Sequence, residues 1–127
     1  MLTDYVGQAF YRKNEQELVI EFHNGSKIYL KGAENPDSLR GSFVHLAILD
    51  EYQNIRPNVW ETIVRPMLLD TQGEAWFIGT PKGFNHFHEL FDKVIRGAAD
   101  PEWGAYRLTS YDNPYMPRDE IDAAKRD

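Results

Sequence analysis

Asp50 and Glu51 are adjacent carboxylates that close the apolar run Leu46-Ala47-Ile48-Leu49. Side chains alternate faces along a strand. At a strand end, one carboxylate can therefore hold Mg²⁺ through water while its neighbour faces an attacking nucleophile, a division of labour suited to nucleotide hydrolysis. A second run, Glu74-Ala75-Trp76-Phe77-Ile78, stops at Gly79-Thr80-Pro81-Lys82-Gly83. That stop puts a threonine hydroxyl and flexible backbone where a loop can sense a γ-phosphate. In open α/β sheets ligands collect beyond the carboxyl ends of the strands, which makes these two ends the first candidates. Taken singly, each has a plainer reading. Acidic residues commonly follow strands, and a glycine-bracketed turn caps a following helix.

Other constellations carry less chemistry. His86 and His88 are two apart on an expected helix, so they diverge by roughly 200° and cannot share a metal, whose ligands on one helix face come at i, i+3 or i+4. His23 is isolated, and His45, inside an apolar run, reads as a satisfied core or interface residue. Trp60, Trp76 and Phe77 resemble a base-stacking platform, yet at helix and strand spacing such residues more often fill core. Asp119-Glu120-Ile121-Asp122 reads as a helix start, where negative charge suits the dipole.

The elements that must position the two strand ends follow from pattern. Residues 17–22 and 27–31 alternate apolar with polar around Asn24-Gly25, a pair suited to a tight hairpin turn. Gly32 to Gly41 is rich in turn-formers and predicts a loop. Residues 42–49 form a nearly unbroken apolar run, which is what a strand covered on both faces needs. From Pro57 the period becomes helical through Val59, Trp60, Ile63, Val64, Met67 and Leu68, with Pro66 expected to kink the helix and Gly73 just past its end. After the second strand, an amphipathic helix presents Phe84, Phe87, Leu90, Phe91, Val94 and Ile95 on one face and stops at Gly97. Residues 105–109 predict a third strand. Residues 112–117 read as a linker, and a polar helix starts at Arg118. The sum is α/β: a parallel sheet flanked by helices, with an N-terminal β-hairpin.

The composition permits this. The 127 residues are 42% hydrophobic and include seven Phe, seven Tyr and three Trp, enough for a core. With 14 Lys+Arg against 20 Asp+Glu, the formal charge of −6 disfavours a grip on nucleic acid through phosphates alone. The absence of cysteine excludes disulfides and thiolate zinc sites, with a reducing compartment as the default. Met1-Leu2-Thr3-Asp4-Tyr5 shows no basic stretch followed by an apolar one, and no apolar run approaches the length of a membrane span. A soluble cytoplasmic protein is expected.

Together, the ordered motifs resemble the large terminase subunits of tailed bacteriophages, ATPase motors that package DNA into procapsids. The resemblance runs from about Glu17 to the C-terminus. It rests on Asn35-Pro36-Asp37-Ser38-Leu39-Arg40-Gly41, on Leu46-Ala47-Ile48-Leu49-Asp50-Glu51 as the Walker B segment, on Trp76-Phe77-Ile78-Gly79-Thr80-Pro81 as the coupling motif, and on Asn113-Pro114. It implies a partial P-loop-NTPase-like (ASCE) sheet. It further implies that Asp50 helps ligate Mg²⁺ and that Glu51 is the catalytic carboxylate activating water. Gly79 and Thr80 would form the nucleotide-side loop, with Thr80 coupling ATP hydrolysis to DNA movement. Arg40 precedes Glu51 by 51 − 40 = 11 positions, the spacing of an arginine finger proposed in some terminases to act on a neighbouring subunit's nucleotide. Such a guanidinium is worth roughly 10³–10⁵ in rate. The plainer reading pairs Arg40 with Asp37 or a carbonyl.

One departure from the family shapes the expectation. No Gly-x-x-x-x-Gly-Lys-Ser/Thr cradle for the β- and γ-phosphates is present. The family places that loop upstream of the hairpin and a metal-dependent nuclease domain downstream. Residues 1–111 thus read as the second half of an ATPase domain, and 112–127 as a linker with the start of a helix leading to a nuclease domain. An excised piece, a truncated prophage frame and one part of a split gene all fit. In each case the chain alone is expected to hydrolyse ATP very slowly or not at all. The implied partners are other terminase subunits, the small terminase, the portal and double-stranded DNA, in the cytoplasm of a bacterial host. The competing readings are a non-catalytic terminase-derived interaction module, self-associating through exposed strand edges, and a fragment of another P-loop motor such as a helicase.

Overall fold

The computed structural model describes residues 10–34, 36–41 and 43–126. Asn35, Ser42 and Asp127, together with the side chains of Pro36 and Asp37, lie outside the described residues, as does the expected pairing of Arg40 with Asp37. The chain divides into two compact units, Met1–Thr80 and Pro81–Asp127.

In the first unit, β1 (Tyr11–Asn14), β2 (Val19–Phe22) and β3 (Lys27–Tyr29) form an antiparallel sheet in the order β1-β2-β3. The hairpin expected around Asn24-Gly25 joins β2 to β3. Gly25 takes φ +85 and donates its N–H to Phe22 O at 2.9 Å, while Asn24 Oδ1 accepts from Ser26 N at 3.0 Å. A glycine reaches that left-handed region without the Cβ clash other residues meet. β1 is additional to the sequence expectation. Tyr11 is buried against Phe22, with ring centroids 6.5 Å apart.

The second sheet of this unit pairs β4 (Leu46–Leu49) with β5 (Glu74–Phe77) in parallel, Leu46 opposite Glu74 through Leu49 opposite Phe77. The crossover between them is one continuous helix: α1 (Pro57–Val59), a π segment (Trp60–Val64) and α2 (Arg65–Leu69). The expected kink at Pro66 is replaced by this wide turn, in which Arg65 N bonds Trp60 O, five residues back. Proline has no N–H and its ring crowds the carbonyl four residues earlier. The wide turn absorbs both problems without a break.

Val59, Ile63, Val64 and Leu68 of this helix are buried, as are Leu49 and Tyr52 beside it. Phe77 meets the rings of Tyr52 and Trp60 edge-on at 4.7 and 4.8 Å, a favourable aromatic geometry. The return into β5 is tight. A Cβ on Gly73 would stand 2.7 Å from His45 O and 2.8 Å from Leu68 Cδ2. Glu74 N donates to His45 O at 2.9 Å, and Thr71 Oγ1 donates to Val44 O at 2.5 Å.

Four expectations are corrected here. The strand is shorter than the apolar run, and only one face of the parallel pair is covered: Leu46, Ile48, Trp76 and Ile78 are 45–55% exposed on the other. Trp76 is therefore not core, whereas Phe77 faces the helix. His45 is exposed rather than core, and its backbone carbonyl accepts from Glu74 N. Finally, the expected loop at 32–41 contains a 3₁₀ turn, Pro36–Leu39.

The second unit holds α3 (His86–Ile95) and α4 (Arg118–Ala124). Asn85 caps α3 by accepting from His88 N at 3.1 Å, and Gly97 follows its end, with Ala98 N bonded to Lys93 O at 3.0 Å. Phe87, Leu90, Phe91 and Val94 are half-buried, while Phe84 and Ile95 are exposed. Residues 105–109 do not form the expected strand, since their backbone finds no ladder partner among the described residues. A 3₁₀ turn, Ser110–Asp112, closed by a capping box between Thr109 and Asp112, runs into the first residue of the segment 112–117 read as a linker. Tyr111 Oη donates to Asp122 Oδ1 on α4, and Lys125 Nζ stands 4.4 Å above the Tyr111 ring. No described helix is long and apolar enough to cross a membrane.

Candidate active site

The acidic pair sits between two buried anchors. Leu49, the last residue of β4, is 5% exposed, and Tyr52, which opens the 3₁₀ turn Tyr52–Asn54, is 4% exposed. Asp50 and Glu51 between them are exposed. Burial of the flanking side chains fixes the backbone, so the two carboxylates project from a pinned turn. Burial also raises the Tyr52 phenol above its ordinary value near 10, with the Glu61 charge adding to the effect.

Glu51 adopts φ 49, ψ 43, the left-handed region that is costly for a residue with a Cβ. Its N–H reaches Asp50 Oδ1 at 2.9 Å. Its carboxylate Oε2 accepts from Asn54 Nδ2 at 3.1 Å, and its carbonyl accepts from Asn54 N at 2.8 Å. Asn54 carried no signal of its own in the sequence. Its spacing of three from Glu51 within a short turn is the feature that could have found it. Beside it, Gln53 Oε1 is buried without a partner among the described residues.

The two strand ends are joined directly. Ile78 N donates to Leu49 O at 3.0 Å, and Tyr52 N donates to Ile78 O at 2.9 Å. Ile78 is followed by Gly79 and Thr80. The loop carrying the carboxylates and the loop carrying the threonine therefore leave neighbouring strands of one sheet at its carboxyl edge, bridged by backbone. Arg40 stands elsewhere in this unit. It lines an open cleft of about 250 Å³ with Gly41, Phe43, Thr62, Ile63, Pro66, Met67 and Asp70. Phe43 precedes β4 and Asp70 follows α2, so that cleft lies toward the amino ends of the strands.

The resemblance implies a divalent cation. No three described His, Asp or Glu residues converge on one point, so a self-sufficient metal cage is not formed there. Mg²⁺ binds through one or two carboxylates with the remaining positions taken by water and phosphate oxygens. A single exposed Asp50, steadied by the Glu51 N–H, fits that partial role. His86 and His88 do not add to it. They differ in burial along α3, and the His88 ring packs edge-on against Phe84 at 4.8 Å.

An acidic pair on a parallel strand end, beside a glycine-threonine loop on the next strand, stands where open α/β sheets collect their ligands. The chain belongs to the family of terminase large subunits, T4likevirus-type, N-terminal part, whose model matches residues 4–126. The large terminase subunit of Escherichia phage T5 is 31% identical over 121 residues, covering 91% of this chain and 26% of that protein. The subunit of Thermus phage G20c is 44% identical over 67 residues, covering 53% of this chain and 14% of that one. The chain thus spans about a quarter of the length of these relatives or less. Among solved structures, the large terminase ATPase domain of Thermus phage P74-26 superposes with a TM-score of 0.52 at 29% identity, covering 64% of this chain and 38% of that one. An arginine-to-alanine variant of the same domain gives 0.54 at 28%.

Proposed function

We propose that this chain is the part of a phage packaging ATPase that carries the Walker B carboxylates and the coupling segment, corresponding to the second half of the ATPase domain. The observation that carries this reading is the backbone bridge from Tyr52 to Ile78, which sets Asp50 and Glu51 beside Gly79 and Thr80 at one sheet edge. Asp50 would help hold Mg²⁺, which when bound with ATP would supply charge neutralisation at the phosphates. Glu51 accepts the proton of the attacking water. Thr80 links the state of the nucleotide to movement of DNA. Arg40, in its separate cleft, serves a neighbouring subunit. Residues 1–111 form the ATPase part and 112–127 lead onward to a nuclease domain, within a motor of several subunits that meets small terminase, portal and double-stranded DNA in the host cytoplasm. Lacking a phosphate cradle, the chain alone turns over ATP very slowly or not at all.

Two measurements test this. The purified chain with Mg²⁺ and ATP is expected to show background hydrolysis, and robust turnover abolished by Glu51→Gln would overturn the claim of inactivity. Grafted in place of the matching segment of the Thermus phage P74-26 ATPase domain, residues 17–126 are expected to support Mg²⁺-dependent hydrolysis that Glu51→Gln reduces at least about 100-fold. A folded, active graft indifferent to Glu51→Gln would sink the catalytic role. The open apolar face of Leu46, Ile48, Trp76 and Ile78 favours a second reading, an interaction module. A stable dimer with no nucleotide affinity by calorimetry would support it.

A further inference from the structure

We infer that Asn54 is the residue that positions Glu51. The inference rests on the reading of Glu51 as the water-activating carboxylate, and it adds the group that aims it. Three features of the Glu51–Asn54 turn converge. The Glu51 backbone is held in a conformation that costs free energy, which persists only where surrounding contacts over-determine it. Those contacts are the buried anchors Leu49 and Tyr52 on either side and the Tyr52 bond to Ile78. The left-handed backbone then directs the Glu51 side chain back over its own turn, where Asn54 Nδ2 donates to Oε2 at 3.1 Å.

An asparagine suits this task. Its carboxamide donates without carrying charge, so it orients the carboxylate while leaving its negative charge in place, as a lysine or arginine would not. The bond engages one oxygen, and Oε1 remains to accept a proton from water. The Asn54 backbone N–H closes the turn on Glu51 O independently of the side chain. Replacing the side chain therefore separates aiming of the carboxylate from formation of the turn.

The test uses the 127-residue chain without nucleotide, so that failure of the pair and failure of the hydrolysis reading are told apart. In ¹⁵N-labelled protein, Glu51→Gln is expected to displace the Asn54 carboxamide resonances, because a charge-assisted acceptor becomes a neutral one. Asn54→Ala is expected to lower the Glu51 side-chain order parameter below about 0.6, the flexible range. Over the same substitution the Tyr52 amide keeps its exchange protection, and Asn54→Gln, which retains the donor on a longer stem, restores part of the order. A purely structural Asn54 would instead lower Tyr52 protection and the thermal midpoint together without a selective change at Glu51. Asn54 resonances unmoved by Glu51→Gln in folded protein, or a Glu51 side chain equally ordered in Asn54→Ala, would overturn the inference. Should Asn54→Ala fail to fold, the Glu51→Gln arm decides with Asn54 intact.

Discussion

The two faces of the parallel pair are built from similar residues and meet different fates. On one face Leu49 and Phe77 pack beneath the crossover helix, against Tyr52, Trp60 and the stripe of Val59, Ile63, Val64 and Leu68. On the other, Leu46, Ile48, Trp76 and Ile78 stand about half exposed. Apolar composition alone does not decide burial; what decides it is whether an element crosses over the face. The covered face supplies stability, and the edge where both faces end carries the candidate chemistry.

The sharpest way to break this contrast is Leu68→Ala under the helix, expected to cost about 2–5 kcal/mol in denaturant unfolding. A loss below about 1 kcal/mol there would mean that the covered face is not the core. Smaller and opposite in sign, Glu51→Gly at the sheet's edge is expected to raise stability by about 1 kcal/mol, because glycine accepts the left-handed backbone that glutamate strains to hold. The same variant removes the candidate base, so a gain in stability with loss of hydrolysis in the graft would mark a strained functional position.

Tyr52 sharpens the comparison through pH. Its phenol is raised by burial, so the native state disfavours the phenolate. The associated stability is present below the unfolded-state value near 10 and is lost as pH rises through the higher folded-state value. Tyr52→Phe is therefore expected to flatten the alkaline limb of a stability-versus-pH curve, and an unchanged limb would count against burial of that ring. The smallest effect belongs to the open face. Trp76→Thr is expected to change stability by no more than about 0.5 kcal/mol while reducing any concentration-dependent association in sedimentation. A loss like that of Leu68→Ala would show that this face is covered after all.

Local chemistry made much of the fold legible. Asn24-Gly25 marked a hairpin, Pro57 a helix start and Gly97 a helix stop, because each is dictated by backbone dihedrals rather than by distant neighbours. β1 escaped notice since Tyr11-Arg12-Lys13-Asn14 offers one apolar residue and owes its place to pairing with β2. The unbroken run before Asp50 implied two covered faces. A sequence pattern records what a strand tolerates on each side, not which side an element of the same segment reaches. At the candidate site, the placement of Asp50 and Glu51 was readable from the end of an apolar run. The Asn54 contact was not, since it depends on the left-handed turn at Glu51, and no residue type announces that conformation when glycine and asparagine are absent from the position.

The wide turn at Trp60–Val64 has a consequence for how this segment can change length. At about 100° per residue, Val59 and Leu68 would lie on opposite sides of a regular α-helix, roughly 180° out of phase. The π segment absorbs one residue and brings the two within about 80°, which is why both are buried. The helix in effect carries one surplus amino acid. An in-frame loss of a single codon within residues 60–64 would return ordinary α-helical winding with the apolar stripe still in phase, whereas the same loss inside β4 would turn every following side chain to the wrong side of the sheet. Tolerance of single-codon deletions is thus concentrated in those five positions of the crossover helix.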